Sequence, residues 1–224
     1  MDQDYSFAII KSGAVARMKV VPFFGLMSLI GCFLVLNFAV PDASAKLVIN
    51  EINYSIKKEA GIEDSDKEWI EIFNSGTEEV RLGGWRLSAG VDYDFPNAIL
   101  GAGDYLIVAA DPEKFSVLYP DSPKPLGPWV GKLSNQGETV RLRDDDGEEI
   151  DQVDFANEGL WAVRKRGPED RGHEGWVWDA LHDGQGRSLE LINWADKNNN
   201  GQNWGSSKLE GGTPGRQNSI YAST

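Results

Sequence analysis

One cysteine and two histidines are all that the 224 residues contain of the thiol and imidazole ligands. A single thiol excludes an intrachain disulfide framework and a cysteine-based zinc site. Basic residues are also scarce, with 22 Lys and Arg against 35 Asp and Glu and a formal charge of −13. That balance argues against a nonspecific phosphate binder, while a local basic patch stays open. Residues 46–216 hold no internal repeat and no low-complexity linker. What the chain does have is apolar and aromatic content: 41% hydrophobic residues, with 8 Trp, 6 Tyr and 9 Phe. This is too apolar and too aromatic for a disordered chain, and the length fits one domain or two small ones.

The lone Cys32 sits in an apolar run from Val20 to Val40, interrupted by Pro22, Ser28 and Asn37. Lys19 precedes the run, and Ala43-Ser44-Ala45 comes after it. A basic start, an apolar stretch and a small-x-small site predict a secretory signal at residues 1–45, cleaved after Ala45. Met18, directly before Lys19, offers a second start. Two other readings stay open. The run is long enough to span a bilayer as an uncleaved anchor, and Leu29-Ile30-Gly31-Cys32 resembles a lipoprotein box. All three place the remainder outside the cytoplasm, as a secreted, periplasmic or cell-surface protein. Three basic and three acidic residues precede Lys46, so the exported portion has no cysteine and still carries −13. A chain of that size buries roughly 70% of its unfolded surface, enough for a core without disulfides.

Short strands dominate the exported portion. Lys46–Tyr54 is β-rich, and Lys67–Phe73 alternates, with Trp69, Glu71 and Phe73 on one face and Ile70 and Ile72 on the other. Val80–Leu87 contains Gly83-Gly84; Val91–Phe95 runs into Pro96; Asp104–Ala109 is almost continuously apolar. Thr139–Arg143 and Glu149–Phe155 flank Asp144-Asp145-Asp146-Gly147, a hairpin signal. Ser188–Ile192 is a last strand. One helix is predicted: Asp111 as N-cap, Pro112 at the first helical position, Phe115, Leu118 and Tyr119 at helical spacing, and Pro120 as a stop. Many short strands separated by turn signals argue a β-sandwich or barrel.

The order of these pieces resembles the lamin tail domain in its bacterial extracellular form. The resemblance rests on Ile49-Asn50-Glu51-Ile52, on Glu68 to Asn74, on Leu82-Gly83-Gly84-Trp85-Arg86-Leu87-Ser88 and on Phe95-Pro96. It continues through Gly103 to Val108, Leu133 to Glu138, Val140 to Gly147 and Ile150 to Asp154. Ser188 to Ile192, Asn203-Trp204 and Gly212-Thr213-Pro214-Gly215 complete it. It implies an all-β, immunoglobulin-like β-sandwich over residues 46–218, with one short helix, a C-terminal tail at 219–224 and no catalytic residues. Residues 156–187 depart most from this pattern and read as a long inserted loop.

Several groups carry possible chemistry. Glu51 and Glu71 on neighbouring strands would suit an acid–base pair if one pKa were raised, or would bond loop amides. His173, Glu174, Asp179, His182 and Asp183 crowd one segment, but the histidines are nine apart and lack helical metal spacing, so a metal-assisted hydrolase is a minor alternative. Asp196, Asn198, Asn200 and Gly201 match the start of a calcium loop, whereas the twelfth position is Ser207 instead of the bidentate Glu. Weak calcium is therefore the one cofactor considered. Trp161, Trp176 and Trp178 fall in or beside the insert, either as a sugar or protein platform or as anchors of the loop. Arg164-Lys165-Arg166 is a small basic spot. The expectation is a non-catalytic binding or structural module that meets an extracellular protein or glycan through loops, the alternative being a Trp-based carbohydrate-binding module. Nucleic acid is not expected, and a membrane only through the N-terminal segment.

Overall fold

The computed structural model describes residues 46–55 and 65–223. The predicted leader, with Cys32 and the cleavage site after Ala45, lies outside the described residues. Among the described residues no helix is long and apolar enough to cross a membrane.

The chain runs through β1 (Leu47–Asn53), β2 (Trp69–Asn74), β3 (Val80–Arg81), β4 (Arg86–Ala89), β5 (Val91–Asp94), β6 (Ile99–Leu100) and β7 (Tyr105–Ala109). Helix α1 (Pro112–Leu118) comes next, then β8 (Val130–Gly131), β9 (Gly137–Arg143) and β10 (Glu149–Ala156). The last strands are β11 (Val163–Asp170), β12 (His173–Asp179), β13 (Leu189–Leu191) and β14 (Trp204–Ser206). One antiparallel sheet has the order β14-β13-β1-β2-β7 and the other β10-β9-β4-β5-β8. Two further ribbons, β3-β6 and β11-β12, stand beside them.

Period-two alternation decides what each sheet buries. Ile70 and Ile72 of β2 join Ile52, Val108, Leu189 and Leu191 on the inner face of the first sheet. Leu87, Val91, Val140, Leu142, Val153 and Phe155 meet them from the second. Each such side chain stabilises the fold by about 1.5–3 kcal/mol when removed from water. The alternate residues Trp69, Glu71 and Phe73 turn to the outer face of the first sheet. There Trp69 packs with Ile107, Ala109 and Phe115 in a second cluster. Phe115 comes from α1, whose start is set by Asp111: its Oδ1 accepts from the amides of Glu113 at 3.0 Å and Lys114 at 3.1 Å.

The C-terminal segment covers the rest of that outer face. It stays attached past residue 218, since the amide of Ile220 donates to Glu190 Oε2 at 3.1 Å and that of Ala222 to the Ile192 carbonyl at 3.0 Å.

The insert is where structure and sequence reading differ. Residues 163–179 form a β-hairpin instead of an open loop. Arg171 and Gly172, with φ of 52° and 78°, make the two-residue turn that matches strand twist. Gly167-Pro168, which would demote a run to non-strand, is absorbed in a register shift between Arg166 and Glu169. No face of this hairpin is buried, so the usual inside–outside alternation never appears in its residues.

Candidate functional site

The hairpin stands in water on both faces. Residues 163–179 are exposed except Gly167 and Asp179, which are half-buried. Arg164 opposes Trp178 and Arg166 opposes Trp176, so these four side chains share one face. Lys165 and Val177 share the other, where the Lys165 ammonium pairs with Asp179 at 2.8 Å. The guanidinium carbons of Arg164 and Arg166 lie 4.7 and 4.3 Å from the centre of the Trp176 ring, within cation–π range. Arg166 also donates to the Glu174 carbonyl at 3.4 Å. Among the described residues neither guanidinium has a carboxylate within 4.0 Å. Trp176 and Trp178 nonetheless stay 51% and 46% exposed.

Trp161 behaves differently from its two companions. It is half-buried, its ring lies 6.0 Å from that of Trp204, and its carbonyl accepts from His182. It anchors the insert to the sandwich. His182 is 1% exposed. Because a carbonyl only accepts, His182 Nε2 carries the proton toward Trp161 O at 2.9 Å, and Nδ1 accepts from the Tyr54 hydroxyl at 2.7 Å. Burial holds its pKa below the ordinary imidazole value, so it is neutral at pH 7. Both ring nitrogens are engaged, which leaves no lone pair for a metal. His173 is exposed next to the hairpin turn, at the far end of β12, whose seven residues span roughly 20 Å. The two histidines therefore occupy unlike settings, and no group of three His, Cys, Asp or Glu able to hold a metal forms among the described residues.

The calcium-like loop makes several protein contacts, while Asn198 Oδ1 is buried with no hydrogen-bond partner. Asn198 turns its amide nitrogen to the Ile49 carbonyl at 3.1 Å and to Asp151. Asn200 Oδ1 accepts from the Gln202 amide at 3.2 Å as a helix cap, and Asp196 Oδ2 accepts from Asn193 at 3.1 Å. Asp196 and Asn200 also line an open groove of ≈ 410 Å³ with Asn193, Gln202 and Asn203.

The most concentrated polar chemistry is internal. Glu190, Glu51 and Glu71 stand side by side on β13, β1 and β2, each 0% exposed. The adjacency of Glu51 and Glu71 was legible in the strands; Glu190 was missed, although it sits between Leu189 and Leu191 on the alternate face. Glu51 accepts from the Ser188 hydroxyl and from the Thr213 amide at 2.8 Å. Glu71 accepts from Asn50 Nδ2 at 2.8 Å and from the Gly215 amide. Glu190 accepts from the Ser219 hydroxyl at 2.8 Å. Thr213 Oγ1 lies 3.0 Å from Glu51 Oε2 and 2.9 Å from Glu190 Oε1. One hydroxyl has one proton, so the second contact needs a proton from a carboxylic acid.

Glu51 is that acid. Burial, reinforced by the charge of Glu190, pushes its pKa up to about 8. Burial, then the neighbouring Glu51, holds Glu71 well above the carboxylate range as well. Enclosed beneath the C-terminal segment, these carboxyls are shut off from any substrate. They tie residues 213–220 to the sheet.

These observations define a class: an antiparallel, immunoglobulin-like β-sandwich whose buried polar groups are structural and whose exposed aromatic and cationic groups gather on a projecting hairpin. The sequence model of the lamin tail domain matches residues 41–157, more than half of the chain. The chain belongs to the lamin tail domain family, a non-catalytic module. A comparison with curated proteins returns no match. The hairpin, β13, β14 and the C-terminal segment all lie beyond the matched residues.

Proposed function

We propose that this lamin tail domain is an exported binding module that recognises an extracellular macromolecule through the β11–β12 hairpin. The observation that carries the reading is a two-stranded ribbon exposed on both faces that keeps two tryptophans about half in water. A lone ribbon of this kind has marginal stability of its own. Exposed Trp beside Arg is the composition of interface hot spots, where truncation of a single side chain costs about 2 kcal/mol or more. The apolar stretch 20–40 with Ala43-Ser44-Ala45 after it supports export.

A photo-crosslinking residue in place of Glu174, beside the Trp176 face, tests this in the native extracellular fraction. A discrete adduct, competed by unmodified protein and absent when the crosslinker replaces exposed Leu209, is the expected result. No adduct at Glu174, or equal adducts at both positions, overturns the reading. The same two rings also suit a carbohydrate-binding module. Glycan-array binding that disappears in both Trp176→Ala and Trp178→Ala would favour a sugar as the macromolecule.

A further inference from the structure

We infer that the face formed by Arg164, Arg166, Trp176 and Trp178 binds an extended protein segment carrying acidic side chains at alternate positions. The inference rests on the hairpin's being the recognition surface and adds the chemistry of what it takes.

Charge decides the sign of the partner. In a molecule of −13, these two guanidiniums have no carboxylate within 4.0 Å among the described residues and lie over a tryptophan ring instead. This contact leaves the N–H groups of Arg164, and those of Arg166 that do not meet the Glu174 carbonyl, available to a carboxylate, which a guanidinium can grip with two parallel hydrogen bonds. It also orders both side chains before binding, which lowers the entropy lost on association.

Spacing decides the shape. Arg164 and Arg166 are two strand residues apart, about 7 Å. An extended peptide repeats its same-face side chains at the same interval, so acids at i and i+2 are spaced like the two arginines along the strand, whose guanidiniums both lie at the Trp176 ring. Trp178 offers a half-exposed ring beside them for an apolar neighbour in the partner.

Size decides the class. The cationic patch is two guanidiniums wide. A nucleic acid, a uronic polysaccharide or an anionic membrane carries charge well beyond that width and runs on into the acidic remainder of this protein. A short acidic segment does not.

Docking is on the face and not by strand addition at the β11 edge. β11 carries Arg164, Lys165, Arg166, Pro168 and a register shift, the features that keep an edge from pairing.

A displayed library of random twelve-residue peptides, selected against the full chain and against the Arg164→Gln/Arg166→Gln double variant, tests the inference. Unchanged circular dichroism and Tm would establish that the variant is folded. The expected result is enrichment of acidic-x-acidic sequences. A recovered peptide should shift the indole N–H signals of Trp176 and Trp178, bind the variant at least tenfold more weakly, and lose affinity when its acids become amides. Enriched peptides without paired acids, equal binding to the double variant, or no enrichment over it overturns the inference. So does stronger movement of the same indoles by polygalacturonate, a single-stranded oligonucleotide or phosphatidylglycerol vesicles, an outcome that leaves the hairpin as the recognition surface. If the Glu174 crosslink also fails, the broader reading falls with it.

Discussion

Glu51→Gln should reverse its effect on stability between acid and neutral pH. In the unfolded chain Glu51 ionises near 4.5, whereas in the fold it does so at about 8. Between those values the folded state holds a proton that the unfolded state has lost, so stability falls as pH rises through the window and levels off above it. At about 1.4 kcal/mol per pH unit, Glu51 alone removes roughly 3 kcal/mol by pH 7 and roughly 4 kcal/mol by pH 8.

A Gln at this position keeps a carbonyl for the Ser188 and Thr213 donors and an N–H for Thr213 Oγ1. Its second N–H is left unpaired, at about 1–3 kcal/mol. The variant should therefore be less stable than the parent at pH 4.5 by about 1–3 kcal/mol. At pH 8 it should be more stable by about 1–3 kcal/mol, with Glu71 retaining a residual slope. Urea unfolding at half-unit pH intervals from about 4.5 to 8.5 measures both arms. A parent protein whose midpoint rises across this range, or two parallel curves, would refute the argument that Glu51 is a buried acid.

Three further outcomes are expected from the same geometry. His182→Phe removes the partners of the Tyr54 hydroxyl and the Trp161 carbonyl, and should cost about 2–4 kcal/mol in chemical denaturation. It should also remove a loss of stability that sets in as pH falls below 6.5, because His182 is held neutral in the fold and charges in the unfolded chain. Gly212→Ala should destabilise by about 2–4 kcal/mol, since φ there is 85° and a Cβ would collide with Glu51 Oε1 and Ser188 Oγ; a lowered Tm checks this. Trp176→Ala with Trp178→Ala should shift unfolding free energy by about 0.5 kcal/mol or less, the signature of rings that serve a partner and not the core.

Much of the architecture was legible from local patterns. The alternation in Lys67–Phe73, the Asp-Gly turn between β9 and β10, and the Asp111-Pro112 cap each fix their element through nearest neighbours alone, and the structure agrees at all three. The hairpin was hidden because its strands bury nothing, so periodicity had no face to report. The fate of the histidines was hidden too. Nine residues apart, they read as one cluster, yet the chain turns under the sandwich after Asp179 and carries His182 to Tyr54, leaving His173 at the exposed turn.

Strand alternation and turn chemistry act over a few residues and were enough to argue a β-sandwich or barrel, whereas the family rests on the resemblance of the ordered segments and the match over residues 41–157. Tertiary structure alone decided which polar groups are buried and which are free. Glu51, Glu71 and Glu190 become one row only when β13 pairs with β1, and Thr213 reaches them only when residues 207–222 fold over the outer face. Arg164 and Arg166 come to share a ring only through the register with β12. Register and covering are set by contacts between residues far apart in sequence, such as Glu51 with Thr213, and no local pattern encodes them.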